Sequence, residues 1–182
     1  PGRSLPPSHA FGKLERDADG QLCAWLPLID HLVDVAACFV RLCGCQSICR
    51  ALERAAGRKL TARDIQRLAV LVFLHDLGKA NSGFQAKRWR FSEAPHGWPR
   101  PAGHGGQALD LFREEPFLAP LLGCLPLESL YEWGEAVPPL FRAAISHHGR
   151  PIADPELGDW ARALELRPLP GDAGLLLAIL PP

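Results

Sequence analysis

The sequence contains no methionine and a single tyrosine, and its 20 Lys and Arg against 20 Asp and Glu leave no net charge. A neutral chain excludes the basic surface that grips nucleic acid over a whole face, so any nucleic-acid contact must be local. Long apolar runs are also missing. The longest, Leu68 to Leu74 and Leu175 to Leu180, fall short of the roughly 18 to 20 residues that a bilayer requires. The Pro-rich start has no signal-peptide pattern, so the expected location is the cytoplasm, with no membrane partner. Six cysteines are too few for a disulfide scaffold and fit a reducing compartment. Four of them, Cys38, Cys43, Cys45 and Cys49, crowd one stretch. Without a paired C-x-x-C they read as small buried hydrophobes rather than as metal ligands. The absence of methionine even at position 1 points to a piece cut from a longer chain.

What is present is the balance of a globular domain, with 47% hydrophobic and 22% charged positions over 182 residues, and a single domain over 1–182 is expected. Residues 1–24 carry Pro, Gly and charge without periodicity and read as a loop, with a turn at Asp17-Ala18-Asp19-Gly20. From Pro27 to about Cys43 the apolar positions Leu28, Leu32, Val35, Ala36 and Phe39 follow helical spacing, Gly44 interrupts, and Gly57 ends the continuation. Thr61 followed by Asp64 predicts an N-cap for a strongly apolar helix, with Ile65, Leu68, Ala69, Val72 and Phe73 as its apolar positions, that ends near Gly78. Further helices are predicted from about His104, over about 117–133, and from Pro138-Pro139 to His147-His148-Gly149, with a short one over Asp159 to Arg167 and an apolar segment capped by Asp172. No long strand alternation occurs, so the expected fold class is all-α.

Five of the seven histidines, His31, His75, His104, His147 and His148, fall at or near these helices, and Asp76 adjoins one of them. Neutral imidazole and carboxylate suit borderline first-row metals, and a set without thiolate argues against a structural zinc finger. Neighbours on a helix point about 100° apart, so a His-Asp doublet cannot chelate as an i, i+4 pair does, but its carboxylate can bridge two ions held side by side.

The order His31, then His75-Asp76, then His104, then His147-His148 is similar to the HD superfamily of metal-dependent phosphohydrolases. Within it, the segment from Leu74 through His75-Asp76-Leu77-Gly78-Lys79 to Phe84-Gln85 resembles the HD nuclease domain of the CRISPR-associated type I helicase-nuclease. So do Phe11-Gly12-Lys13, Trp25-Leu26-Pro27-Leu28 with His31, and Ser146-His147-His148-Gly149. The resemblance covers about residues 11–150. It implies a helical bundle around a site for two divalent transition-metal ions (Mn, Fe, Co or Ni, with Mg or Zn also admissible). It also implies cleavage of single-stranded DNA displaced by the CRISPR RNA-guided surveillance complex, together with a helicase domain or subunit, in antiviral defence. Carried over, His31, His75 and Asp76 would hold one ion, and Asp76, His104, His147 and His148 the other. Asp76 and Lys79 would form the catalytic pair, the lysine lying toward phosphate. Two bridged ions can activate water and stabilise the leaving oxygen, so no protein base is required.

One departure bears on this reading. In the family a last aspartate follows an apolar run well after the double histidine and completes the first metal site. Here the run Leu175 to Leu180 is followed only by Pro181-Pro182, and Asp154, Asp159 and Asp172 all precede it, so the C-terminus is expected to be truncated. Lys79, Lys87, Arg88, Arg90 and Arg100 occupy a stretch whose only acid is Glu93, interleaved with Trp89, Phe91 and Trp98. Lys87, Arg88, Trp89 and Arg90 are therefore candidate single-strand contacts, unless the aromatics pack on the core and the charges are merely solvated. Asp34 either orients His31 or is a solvated surface acid, and His9 and His96 read as surface residues. A nucleotide-hydrolysing HD enzyme and a catalytically eroded docking module for the surveillance complex are the competing functions.

Overall fold

The computed structural model describes residues 10–89, 100–111, 128–149 and 152. It opens with a hairpin, β1 (Phe11–Arg16) and β2 (Leu22–Pro27), followed by α1 (Leu28–Cys43), α2 (Gln46–Ala56) and α3 (Ala62–Leu74). A 3₁₀ turn (Leu77–Ala80), α4 (Ser82–Gln85), a second 3₁₀ turn (Ala86–Arg88), α5 (Gly105–Leu111), α6 (Glu128–Tyr131), a third 3₁₀ turn (Gly134–Ala136) and α7 (Val137–Ile145) complete it. Arg90, His9, His96, the helices expected over 159–167 and from Asp172, and most of the one expected over 117–133 lie outside the described residues.

The architecture is mostly helical, but the two-stranded antiparallel sheet corrects both the all-α expectation and the loop reading of residues 1–24. The strands show no clear alternation in sequence because their register slips twice, once at Gly12 and again between Glu15 and Arg16. Each slip moves side chains to the other face and erases the period of two. The turn is closed by Asp17, whose carboxylate accepts from the Asp19 and Gln21 amides at 3.0 and 2.8 Å, with Gly20 at φ 75°.

Helix α1 starts after Pro27 and lays Leu28 and Leu32, both fully buried, against Leu71 and Leu74 of α3. Leu77, Ala80 and Leu130 close the same core, and Val137, Phe141 and Ala144 of α7 pack over it. The C-terminal turn of α3 is thus sunk in the core, and whatever follows Leu74 leaves the helix at a fixed place. Helix α2 buries no residue. The cysteines carried by α2 and the outer end of α1 therefore reach the surface: Cys38 and Cys45 are exposed and Cys43 and Cys49 half-buried, all free, which corrects their reading as buried hydrophobes. Among the described residues no single helix is long and apolar enough to cross a membrane.

The start of α3 is a full capping box. Thr61 Oγ1 accepts from the Asp64 amide at 3.1 Å, Asp64 Oδ2 accepts from the Thr61 amide at 2.9 Å, and Arg58 clamps the carboxylate through two bonds of 2.7 and 2.8 Å. Thr61→Ala is expected to cost about 1 kcal/mol, read as a lower melting temperature by circular dichroism. Metal affinity should not change, because the cap lies about 20 Å, one helix length, from His75.

Candidate metal centre

The centre is assembled where α3 ends. His75 is the C-cap of α3, and Asp76, at φ −113° and ψ 8°, turns the chain into the 3₁₀ turn. Side chains three apart eclipse in that geometry, which brings the Lys79 Nζ to 2.6 Å from Asp76 Oδ2. Gly78 allows the turn to touch the start of α5: a Cβ there would stand 1.9 Å from the His104 carbonyl oxygen and 2.8 Å from the Ala108 nitrogen. Gly12 does the same for the hairpin, since a Cβ there would lie 2.8 Å from the His31 Cβ. Asn81 donates to the Gly78 and Gly103 carbonyls at 2.6 and 3.0 Å and accepts from the Phe84 amide at 2.7 Å, which holds the segment before His104 in place.

Four of the five histidines in the predicted ligand set converge on the Asp76 carboxylate, and the fifth, His148, joins them through His104. Asp76, 2% exposed, presents Oδ2 to His31 Nε2 at 2.8 Å and to His75 Nε2 at 3.2 Å. It presents Oδ1 to His104 Nε2 at 3.0 Å and to His147 Nε2 at 3.3 Å. His148 Nε2 lies 3.1 Å from His104 Nε2. His31, His75 and Asp76 form one cluster able to hold a metal ion, and His104, His147 and His148 form a second, the ligand atoms in each lying within 4.8 Å of one another. His31 and Asp76 are buried while His147 and His148 are exposed, so the second cluster faces solvent.

The tautomers show that a cation fits. His75 Nδ1 is 2.6 Å from the Val72 carbonyl and His147 Nδ1 is 3.3 Å from the Ala144 carbonyl. A carbonyl only accepts, so Nδ1 carries a proton in both rings, and in the neutral imidazole Nε2 is then a lone pair. Those lone pairs face carboxylate oxygens, acceptor against acceptor, and Asp76 Oδ1, although buried, receives no hydrogen bond of proper geometry. A divalent cation between them turns each repulsive pairing into coordination, and imidazole and carboxylate are the donors that such ions take. Electrostatics agree. Burial pushes the Asp76 carboxyl up, but the polar contacts around it, the Lys79 ammonium at 2.6 Å among them, outweigh it and hold the group well below the usual carboxylate range. Burial lowers His31 and His147 against the opposing pull of Asp76, which favours the neutral ring that binds metal.

The other sequence-predicted residues fare differently. Lys79, nearly buried, also donates to the Gly12 carbonyl at 3.2 Å, so two of its three protons serve Asp76 and β1. Lys87 is exposed, its Nζ 4.3 Å from the centre of the Phe84 ring. Arg88 turns inward, donating to the Gln85 Oε1 at 2.7 Å and lying over Phe11 and Trp89. Asp34 is exposed and solvated.

The sequence marks Gln85 only as the end of the segment that carries the resemblance, and its structural role appears in the fold. Fully buried, it accepts from the Phe11 amide and donates to the Phe11 carbonyl, both at 3.1 Å, and donates to the Lys79 carbonyl at 2.7 Å. It gives β1 the pairing that a third strand would give and ties the hairpin to the turn bearing Lys79. Gln85→Leu is expected to lower stability by about 3 kcal/mol, because it orphans several buried backbone groups at roughly 1 to 3 kcal/mol each. Chemical denaturation measures this.

Comparison with known proteins locates this arrangement. Residues 11–167 match the family model described as Cas3, HD domain. No curated protein and no solved structure matches the chain significantly.

Proposed function

Since this chain belongs to the Cas3 HD-domain family, whose members are CRISPR-associated HD phosphohydrolases or nucleases, we propose that it is a metal-dependent nuclease that cuts single-stranded DNA. It would work with a helicase domain or subunit on strand displaced by the CRISPR RNA-guided surveillance complex. The observation that carries this reading is one buried carboxylate, Asp76, faced on both oxygens by imidazoles whose Nδ1 protons leave Nε2 lone pairs pointing inward in the neutral ring. Two divalent ions of the Mn, Fe, Co or Ni type, or Mg or Zn, would supply an activated water and neutralise charge on the phosphodiester.

The chain's own residues do the rest. His31, His75 and Asp76 hold the buried side, and His104, His147 and His148 hold the side open to substrate. Lys79 keeps Asp76 ionised and oriented, and its remaining proton is available to a phosphate oxygen. Phe84 stacks edge-on against His104, with ring centres 5.1 Å apart. Lys87 over the same ring therefore offers a cation beside the open cluster, with Trp89 next along the chain and Arg90 beyond it as further strand contacts.

The substrate class is tested by offering Mn²⁺-loaded protein a labelled oligodeoxynucleotide beside ATP and a cyclic nucleotide. Shortening of the strand with both nucleotides intact is expected. Hydrolysis of a nucleotide with the strand intact would replace this reading by the small-substrate one.

A further inference from the structure

The zero net charge conceals an uneven surface. Around the end of α2 and the start of α3 six cations, Arg50, Arg54, Arg58, Lys59, Arg63 and Arg67, meet three acids, Glu53, Asp64 and Glu132. Each acid is already engaged: Glu53 with Lys59 at 2.7 Å, Asp64 with Arg58 at 2.7 Å, and Glu132 with both Arg63 and Arg67. Neither Arg50 nor Arg54 is held in an ion pair among the described residues. They stand one turn apart on the exposed surface of α2. With Arg58, Lys59, Glu53 and Gly57 they line an open hollow of about 420 Å³. The helix dipole accounts for a cation in the last turn, Arg54, but not for Arg50 a turn earlier or for the pair beyond the cap. Excess positive charge gathered around a concavity concentrates anions there.

Arg58 also borders a second hollow of about 380 Å³, almost wholly apolar, lined by Leu60, Leu68, Trp133 and Leu140 among others. Cations beside apolar and aromatic cover suit a single strand, whose phosphates need charge and whose bases need shelter from water. A duplex keeps its bases stacked inside and has no use for the second hollow.

We propose that this face is a second, non-catalytic track for the phosphate backbone of single-stranded DNA, with Arg50 and Arg54 as its free phosphate contacts. The proposal rests on the reading of the chain as a single-strand nuclease. Helix α3 begins beside the hollow and ends at His75, so about 20 Å separates the track from the metal centre. A strand long enough to reach both is tethered, and its scissile phosphate is presented at a raised effective concentration.

The test measures binding of fluorescein-labelled oligothymidylate, about 20 nucleotides long to cover more than one site, to the full chain in EDTA by fluorescence anisotropy. Arg50→Gln with Arg54→Gln is compared with Lys13→Gln with Arg41→Gln, which removes the same charge from other exposed positions. The track predicts a roughly tenfold weaker Kd for the first pair at moderate salt and a salt slope shallower by about 1.4, two contacts at about 0.7 each. The control pair should match the wild type. Unchanged binding by the first pair, or an equal loss in the control, overturns the track. Because binding is read without metal, the two readings fail separately. A wild-type chain that cuts DNA while Arg50 and Arg54 prove irrelevant refutes only the track, and one that binds through them but never cuts refutes only the nuclease.

Discussion

Asp76→Ala is expected to yield a helical chain that melts earlier, holds metal poorly and shows no metal-dependent cleavage. One carboxylate faces four imidazoles and an ammonium at 2.6 to 3.3 Å, so it is the only anion in either cluster. Without it, Lys79 keeps a buried charge whose remaining partner is the Gly12 carbonyl. Removing one member of a buried ion pair costs about 3 kcal/mol or more, and a thermal melt in EDTA reads that loss. The metal effect is separate in origin: the buried cluster is reduced to two imidazoles, and the open one loses the carboxylate oxygen that faces His104 and His147. Asp76→Asn keeps the shape and one acceptor oxygen but removes the charge, so metal binding should fall with it while the chain stays packed. Metal-dependent cleavage at the wild-type rate in either variant would contradict the two-ion assignment.

Gly78→Ala is expected to be at least as damaging to the fold, although it adds only one methyl group. The new Cβ would stand 1.9 Å from the His104 carbonyl oxygen and 2.8 Å from the Ala108 nitrogen, both main-chain atoms that cannot swing aside as a side chain would. The 3₁₀ turn and α5 must separate, and Ala108, fully buried, loses its packing. Overpacking of this kind costs about 3 kcal/mol. His104 moves with its backbone, so metal affinity measured by calorimetry should fall together with the melting temperature. Gly106→Ala, where nothing stands within 4 Å of the added Cβ, should leave both unchanged.

The helical half of the molecule was legible in the sequence because its signals are local. Thr61 with Asp64 marks a cap, Gly44 and Gly57 mark breaks, and Leu28 and Leu32 fall at helical spacing. The α3 stripe read at Ile65, Leu68, Ala69, Val72 and Phe73, by contrast, is only half-buried, and Leu71 and Leu74 face the core instead. Membership of the Cas3 HD-domain family was legible in the ordered histidines and the segment from His75 to Gln85, and the family match agrees. The hairpin was not legible, since its two register slips scramble the alternation that would announce it. It is held in place from outside by Gln85 and by Arg16, which donates to the Lys87 and Arg88 carbonyls at 2.8 and 3.1 Å. No local pattern could show that Lys79 would spend its donors on Asp76 and Gly12, or that Arg88 would turn toward Gln85, because both choices follow from where the hairpin docks. The glycines at 12 and 78 carry no chemistry of their own, and their importance is visible only as distances between elements that meet in space.

The most direct measurement is cleavage of a labelled single-stranded DNA by the purified chain supplied with Mn²⁺, Co²⁺ or Ni²⁺, against the same reaction in EDTA. The account predicts cutting with metal and none without. A chain shown to bind these ions that still leaves the strand intact, or cutting that survives EDTA, would contradict it.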